Sequence, residues 1–241
     1  MNCLIIAAGE GSRLNGVDKP KPLVTINNIP LIEYIIDNVV WAGIETIYVV
    51  LGYNRDVLEK TISRIAIRKK INIICIYNPD WRKGNGTSVL AAKRYITSPF
   101  ILLMADHLFH RNMLSKLLMR HPPDRETVLA VDIQINENHM VDLDDVTRVF
   151  IKDDRIINIG KHIEIYNAFD TGMFLSSIFL FKALEEAATK GNFSLSDGIQ
   201  RLIKVDLARV QVIDNACWID IDTPDMLNKA KELISKDAFL L

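Results

Sequence analysis

Apolar positions follow one rhythm in the first half of the chain and another in the second. Cys3–Ala8 is an almost unbroken apolar run, as a strand buried on both faces requires. After Pro30 the spacing turns helical. Leu31, Ile32, Ile35, Ile36, Val39 and Val40 form one stripe, and Gly43 closes it. Thr46–Leu51 predicts a second strand, and Asn54 is placed to cap a helix over Val57–Ile67. Ile71–Tyr77, Thr87–Tyr95 and Phe100–Met104 then predict strand, helix and strand. Successive strand–helix crossovers predict an α/β fold with a doubly wound, mostly parallel sheet.

The rhythm changes after Pro122-Pro123. Val128–Ile133, Thr147–Ile151 and Ile156–Ile159 read as strands joined by polar turns, one of them at Asp153-Asp154, and this half looks more antiparallel. Ser194 and Asp197 have capping-box spacing. Thr223 before Pro224 starts a last helix whose buried stripe is Met226, Leu227, Ala230, Leu233 and Ile234. No repeat, low-complexity tract or long linker interrupts residues 1–241, so they read as a single domain.

Composition narrows the classes. Apolar residues at 49% and charged residues at 24% suit an ordinary globular protein of 241 residues. A net charge of −1 gives no global basic field, so nucleic acid is not an expected partner and any anion must meet a local cluster. Cys3, Cys75 and Cys217 lie far apart in apolar contexts without a CxxC pair. That argues against a disulfide framework or a zinc site and for the reducing cytoplasm. Met1-Asn2-Cys3 leads directly into a strand, and the longest apolar runs fall far short of a span, so no membrane insertion is expected.

Six short stretches carry candidate chemistry, each with a plainer reading beside it. "AAGEGSRL" puts Gly9 and Gly11 after a buried strand, where backbone N–H groups can approach an anion, and adds the forked donor of Arg13. It fits neither the dinucleotide fingerprint nor the P-loop. A simple strand-ending turn is the plainer reading. "DKPKPLV" locks Lys21 between prolines, which suits a fixed ammonium facing phosphate or a solvated turn. In "LLMADH", Asp106 ends a buried strand, as a magnesium ligand or a helix cap. In "WIDIDT", Asp220 and Asp222 alternate with Ile219 and Ile221 and share a face, as a second metal ligand to complete a magnesium site or an acidic strand end before an N-cap. "GNGTSV" offers Asn85, Gly86 and Ser88 to a nucleoside or caps a helix. "GKHIEIYNAFDTG" gathers Lys161, Asn167, Asp170, Thr171 and Gly172, suiting a hydroxylated, phosphorylated ligand or a plain β-connection.

Taken in order, these motifs resemble the sugar-phosphate nucleotidylyltransferase family over residues 3 to about 225. "DKPKPLV", "NGTSV", "ADH" and "YNAFDTG" look most like its CTP:inositol-1-phosphate cytidylyltransferase branch. The resemblance implies a Rossmann-like mixed sheet, the nucleotide-diphospho-sugar transferase fold, with an acceptor-binding lid. It implies that Ala7, Ala8, Gly9, Gly11, Ser12, Asn85, Gly86 and Ser88 hold the nucleotide, with Arg13 and Lys21 as catalytic residues. Lys161, Asn167, Asp170, Thr171 and Gly172 would hold the acceptor, and Asp106 and Asp220 the Mg2+. Residues 1–125 would then serve mainly the nucleotide, and 126–241 the acceptor and the second metal ligand. Asp222 stands where many sugar-specific members have glycine, and Ala105 where many have glycine before aspartate. Both departures favour the cytidylyltransferase branch.

The expected partners are CTP and a phosphorylated polyol. A homodimer and a separate membrane transferase that consumes CDP-inositol complete the implied set. Competing readings are a phosphocholine cytidylyltransferase, a hexose-1-phosphate enzyme using UTP, dTTP or GTP, a glycosyltransferase, and a non-catalytic nucleotide-binding regulatory homologue. Phosphocholine would call for an aromatic cage. A glycosyltransferase would not need the Gly9–Arg13 loop with Lys21. A silent homologue should lose a metal carboxylate or the lysine.

Overall fold

The computed structural model describes residues 1–11, 14, 19–121, 123–135 and 141–235. The chain begins with β1 (Asn2–Ala7), the short hairpin β2 (Thr25–Ile26) and β3 (Ile29–Pro30), and α1 (Leu31–Trp41). It continues through β4 (Thr46–Leu51), α2 (Arg55–Lys69), β5 (Asn72–Tyr77), α3 (Asn85–Ala91), β6 (Phe100–Met104), β7 (His107–Phe109) and α4 (Arg111–Leu118). The second half adds β8 (Thr127–Asp132), β9 (Arg148–Lys152), β10 (Arg155–Gly160), β11 (Ala168–Ser176), α5 (Phe179–Ala188) and α6 (Leu195–Lys204). It closes with β12 (Ala208–Val212), β13 (Trp218–Asp220) and α7 (Pro224–Ser235).

A nine-stranded sheet in the order β5-β4-β1-β6-β11-β8-β12-β10-β9 runs through both halves. Its first four strands are parallel and in the doubly wound order; Cys3 faces Ile47 on one side and Ile101 on the other. Alternate residues of β1 feed opposite cores. Cys3, Ile5 and Ala7 pack with residues of α1, α2 and α4, while Leu4 and Ile6 pack with residues of α3, α5 and α6. Both faces are covered, which is why the run is apolar throughout.

β11 joins the halves. It lies antiparallel to β6 and β8, with an irregularity between Asp170 and Phe174. The sequence offered a plain β-connection as the alternative there, because Asp170, Thr171 and Gly172 break the apolar pattern. The second half is less uniformly antiparallel than its sequence suggests, since β12 runs parallel to β8. Asn54 stands before α2 but takes a left-handed conformation (φ 48°) and makes no side-chain cap bond. An N-cap of that kind works from extended backbone, which Asn54 does not have. α3 starts at Asn85, earlier than expected, after Gly84.

A third small core lies under α7. There Val24, Ile26, Leu31, Leu108, Ile219, Ile221, Leu227 and Ala230 meet. It anchors the two-stranded ribbon of β7 and β13, which sets Asp220 directly across from His107. Among the described residues no helix is long and apolar enough to cross a membrane.

Candidate active site

Lys21 opens a 3-10 turn, Lys21–Leu23, between Pro20 and Pro22. Its side chain is only 6% exposed, so its charge must be met inside the protein. Three carboxylates meet it. The Lys21 Nζ donates to Asp106 Oδ2 at 2.8 Å, to Asp220 Oδ1 at 3.3 Å and, most closely, to Asp222 Oδ1. The alternation read from the sequence explains the last two. Ile219 and Ile221 are fully buried in the third core, which turns Asp220 and Asp222 to the opposite side. The approach also needs Gly11. Its φ is +65°, and a Cβ there would lie 2.6 Å from Lys21 Cβ.

His107 completes the cluster. Its Nδ1 lies 2.9 Å from Asp106 Oδ1 and 3.8 Å from Asp220 Oδ1. The ring stacks on Trp218 at 5.7 Å and 8°, and Trp218 Nε1 donates to the buried Asp132 at 3.0 Å. Burial disfavours charge on His107, but Asp220 and Asp106 outweigh it and raise its pKa to about 9. Burial likewise opposes the Lys21 charge, yet the three carboxylates hold its pKa above the ordinary lysine value. Burial works against ionisation of Asp106, but Lys21 and His107 keep its carboxyl well below the usual carboxylate range. Asp220 is pushed up to about 7, by burial first and then by Asp106 and Asp222, with His107 and Lys21 opposing.

Two cavities meet at this cluster, and Asp106 and Asp222 line both. One, of about 240 Å³, is walled by Ala7, Gly9, Gly11 and Lys21. The other, of about 210 Å³, is walled by Asn85, Asp142, Asp145, Lys161, Asp170 and Gly172, with Asp220 at its inner end. In the second cavity Lys161 pairs with Asp145 at 2.5 Å. Asp170 accepts from the Gly172 N–H at 2.7 Å, and burial raises its pKa to about 6 against that bond and His107.

The fold therefore brings Lys21, Asp106 and Asp220 into one cluster, with Lys161, Asp170 and Gly172 beside it. Other expected site residues are taken up by the fold. Ala8 is buried, and its carbonyl accepts from Tyr53 N at 3.0 Å. Asn85 lines the second cavity rather than the first and accepts from Leu195 N at 2.7 Å. Gly86 N donates to Phe193 O, and Ser88 Oγ accepts from Asn78; neither lines either cavity. Asn167 bonds both backbone groups of Ile151, and Thr171 donates to Ala130 O. Ser12 and Arg13 lie outside the described residues. No role was expected of Asp222, although its shared face with Asp220 was the available clue. Asp145 had no local pattern to mark it.

The donor set suits a hard divalent cation. Ligand atoms of Asp106, His107 and Asp220 lie within 4.8 Å of one another, as do those of Asp145, Asp220 and Asp222. Carboxylate oxygens dominate both groups, and no thiolate is present in either.

The lysine–carboxylate cluster lies between two cavities at the carboxyl ends of the parallel strands, where open α/β sheets bind their ligands. The chain belongs to the MobA-like NTP transferase domain family, whose model matches residues 3–152. It is 30% identical to the bifunctional IPC transferase and DIPP synthase of Rubrobacter xylanophilus, over 95% of this chain and 51% of that protein. It is also 30% identical to the protein of that name from Thermococcus kodakarensis, over 98% of this chain and 51% of that one. The chain thus spans about half the length of these curated relatives. Its structure is similar to that of the inositol-1-phosphate CTP transferase from T. maritima, with a TM-score of 0.86 and 26% identity. That likeness covers 98% of this chain and 95% of the other, and the nucleotide-diphospho-sugar transferase fold is common to both.

Proposed function

We propose that this chain transfers a cytidylyl group from CTP to inositol-1-phosphate, giving CDP-inositol and pyrophosphate. The observation that carries the reading is the position of Lys21 among Asp106, Asp220 and Asp222, where the two cavities meet. The names of the relatives support the choice of nucleotide and acceptor. CTP occupies the cavity walled by Ala7, Gly9 and Gly11, and Ser12 and Arg13 follow directly in sequence. Inositol-1-phosphate occupies the other, its phosphate on Lys161 and its hydroxyls on carboxylates such as Asp170.

A phosphate oxygen of the acceptor attacks the α-phosphorus of CTP. The new P–O bond forms as the bond to the β-phosphate bridging oxygen breaks, and pyrophosphate leaves. The acceptor monoester carries roughly −1.5 to −2 charge at neutral pH, so it needs no general base. Lys21 and Lys161 offset repulsion between the two anions and align them. Mg2+ on Asp106 and Asp220, with Asp222 beside them, would supply further charge neutralisation at the phosphates.

A phosphocholine acceptor would need aromatic faces around its ammonium. Phe174 and Trp218 line the acceptor cavity, and the Trp218 face is covered by the His107 ring. A hydroxylated acceptor fits the surrounding carboxylates better. We place the reaction in the cytoplasm, where Cys3, Cys75 and Cys217, all free thiols, stay reduced. A CDP-inositol-using transferase activity would take the product.

The test is a pyrophosphate-release screen. It crosses four nucleoside triphosphates with inositol-1-phosphate, phosphocholine and hexose-1-phosphates in the presence of Mg2+. CTP with inositol-1-phosphate should be fastest. Lys21→Ala should lower its rate by about a hundredfold or more, the usual loss when one charge-stabilising donor is removed. No release from that pair overturns the assignment.

A further inference from the structure

We propose that Arg148 is a positioning residue for the acceptor: its guanidinium clamps together the two segments that wall the acceptor cavity. Arg148 opens β9, with Gly160 of β10 as its register partner on one side and Phe169 of β11 on the other. Those partners immediately precede Lys161 and Asp170. Thr147, the residue before Arg148, lines the cavity, and its carbonyl accepts from Asp170 N at 3.0 Å. The backbone around Arg148 is therefore the floor on which the acceptor-side groups are set.

The side chain adds the clamp. Nη2 donates to Leu143 O at 3.2 Å and Nη1 to Ile163 O at 3.4 Å. The guanidinium lies over the Tyr166 ring at 5.0 Å, and that ring stacks on Phe169 at 5.8 Å. One planar group thus ties segment 141–147 to segment 161–166. The first segment carries Asp142 and Asp145, and the second carries Lys161.

Neither segment is fully buried, and Val141, Val146 and Tyr166 pack only part-buried against the first core. Leu143 is 52% exposed and Ile165 is 72% exposed. Segments with few buried apolar contacts open at low free energy unless something ties them. The rigid fork of arginine suits two divergent carbonyls, whereas a lysine ammonium cannot span both with the same planarity. The nucleotide cavity lies on the other side of the Lys21 cluster, and Arg148 does not line it.

The test compares the wild-type chain with Arg148→Met, Arg148→Lys and Tyr166→Leu. Hydrogen exchange is expected to quicken in 141–147 and 161–166 in Arg148→Met and to stay unchanged in 2–11 and 100–109. The kinetic half rests on the acceptor role proposed above. Acceptor KM should rise on the order of tenfold, since ångström-scale misplacement of a positioning group costs up to about a hundredfold. The kcat and the KM for CTP should stay within about twofold, the split that separates ground-state positioning from damage to the chemistry. Arg148→Lys should recover part of both effects.

Should Arg148→Met fail to fold, Tyr166→Leu removes the stacking face alone and should move both readouts the same way, by less. Unchanged exchange in both segments overturns the clamp. So does an equal rise in both KM values together with a fall in kcat. If the wild type releases no pyrophosphate, the proposed function fails, and the exchange measurement still decides the clamp.

Discussion

Asp170 shows what a buried carboxyl lining the second cavity costs the fold. It is held by the Gly172 N–H and raised to a pKa of about 6, chiefly by burial. Its ordinary value is 3.8, so the folded chain holds this proton more tightly than the unfolded chain does. The stability that follows is full below about pH 4 and is lost as pH rises through about 6. Asp170→Asn keeps the oxygen that accepts from Gly172 and removes the charge. It should gain on the order of 1–3 kcal/mol at pH 8 and almost nothing at pH 4. Urea unfolding at the two pH values checks this, and an equal effect at both would refute it. Gly172 itself is fixed by its surroundings. Its φ is +74°, and a Cβ would fall 2.8 Å from the His107 ring and 2.9 Å from Met104.

At the scale of elements, α6 is the helix most openly written in the sequence. Ser194 accepts from Asp197 N, and Asp197 Oδ2 accepts from Ser194 N at 2.9 Å, forming the capping box that the spacing predicts. Leu195 and Ile199 then bury against the second core and line the second cavity. Ser194→Ala should cost about 1 kcal/mol and lower Tm by about 2–4 °C, with kcat unchanged because the apolar face still holds the helix. Calorimetry with a parallel rate assay tests both halves. Other elements were legible for the same reason: β1, β4 and β6 are local apolar runs. The exceptions have a common cause. β7 and β13 are three residues each, and their pairing spans more than a hundred positions. β11 is interrupted at Asp170 and Gly172, which line the second cavity. The site divides in the same way. Lys21, Asp106 and Asp220 could be read because prolines or strand ends mark them, whereas Asp145 and Arg148 act only through partners that the fold brings near.

For the whole molecule, the net charge of −1 says little, because the strong field is internal. Asp106, Asp220 and Asp222 converge, and Lys21 with a His107 held towards its charged form supplies the balancing charge. A carboxylate cluster without such a balance would have to take up protons or a bound cation to stay together. Here the counter-charge is covalently built in. The wild type should therefore stay folded when a chelator removes the cation, its Tm falling only by the lost binding contribution, and outright unfolding would contradict this. Lys21→Met should melt lower and regain stability with added Mg2+, by about 2.7 kcal/mol at a hundred times its dissociation constant. Folding and metal loading then become separable events. The protein should then survive stripping without unfolding, and added cation alone should restore the proposed transfer.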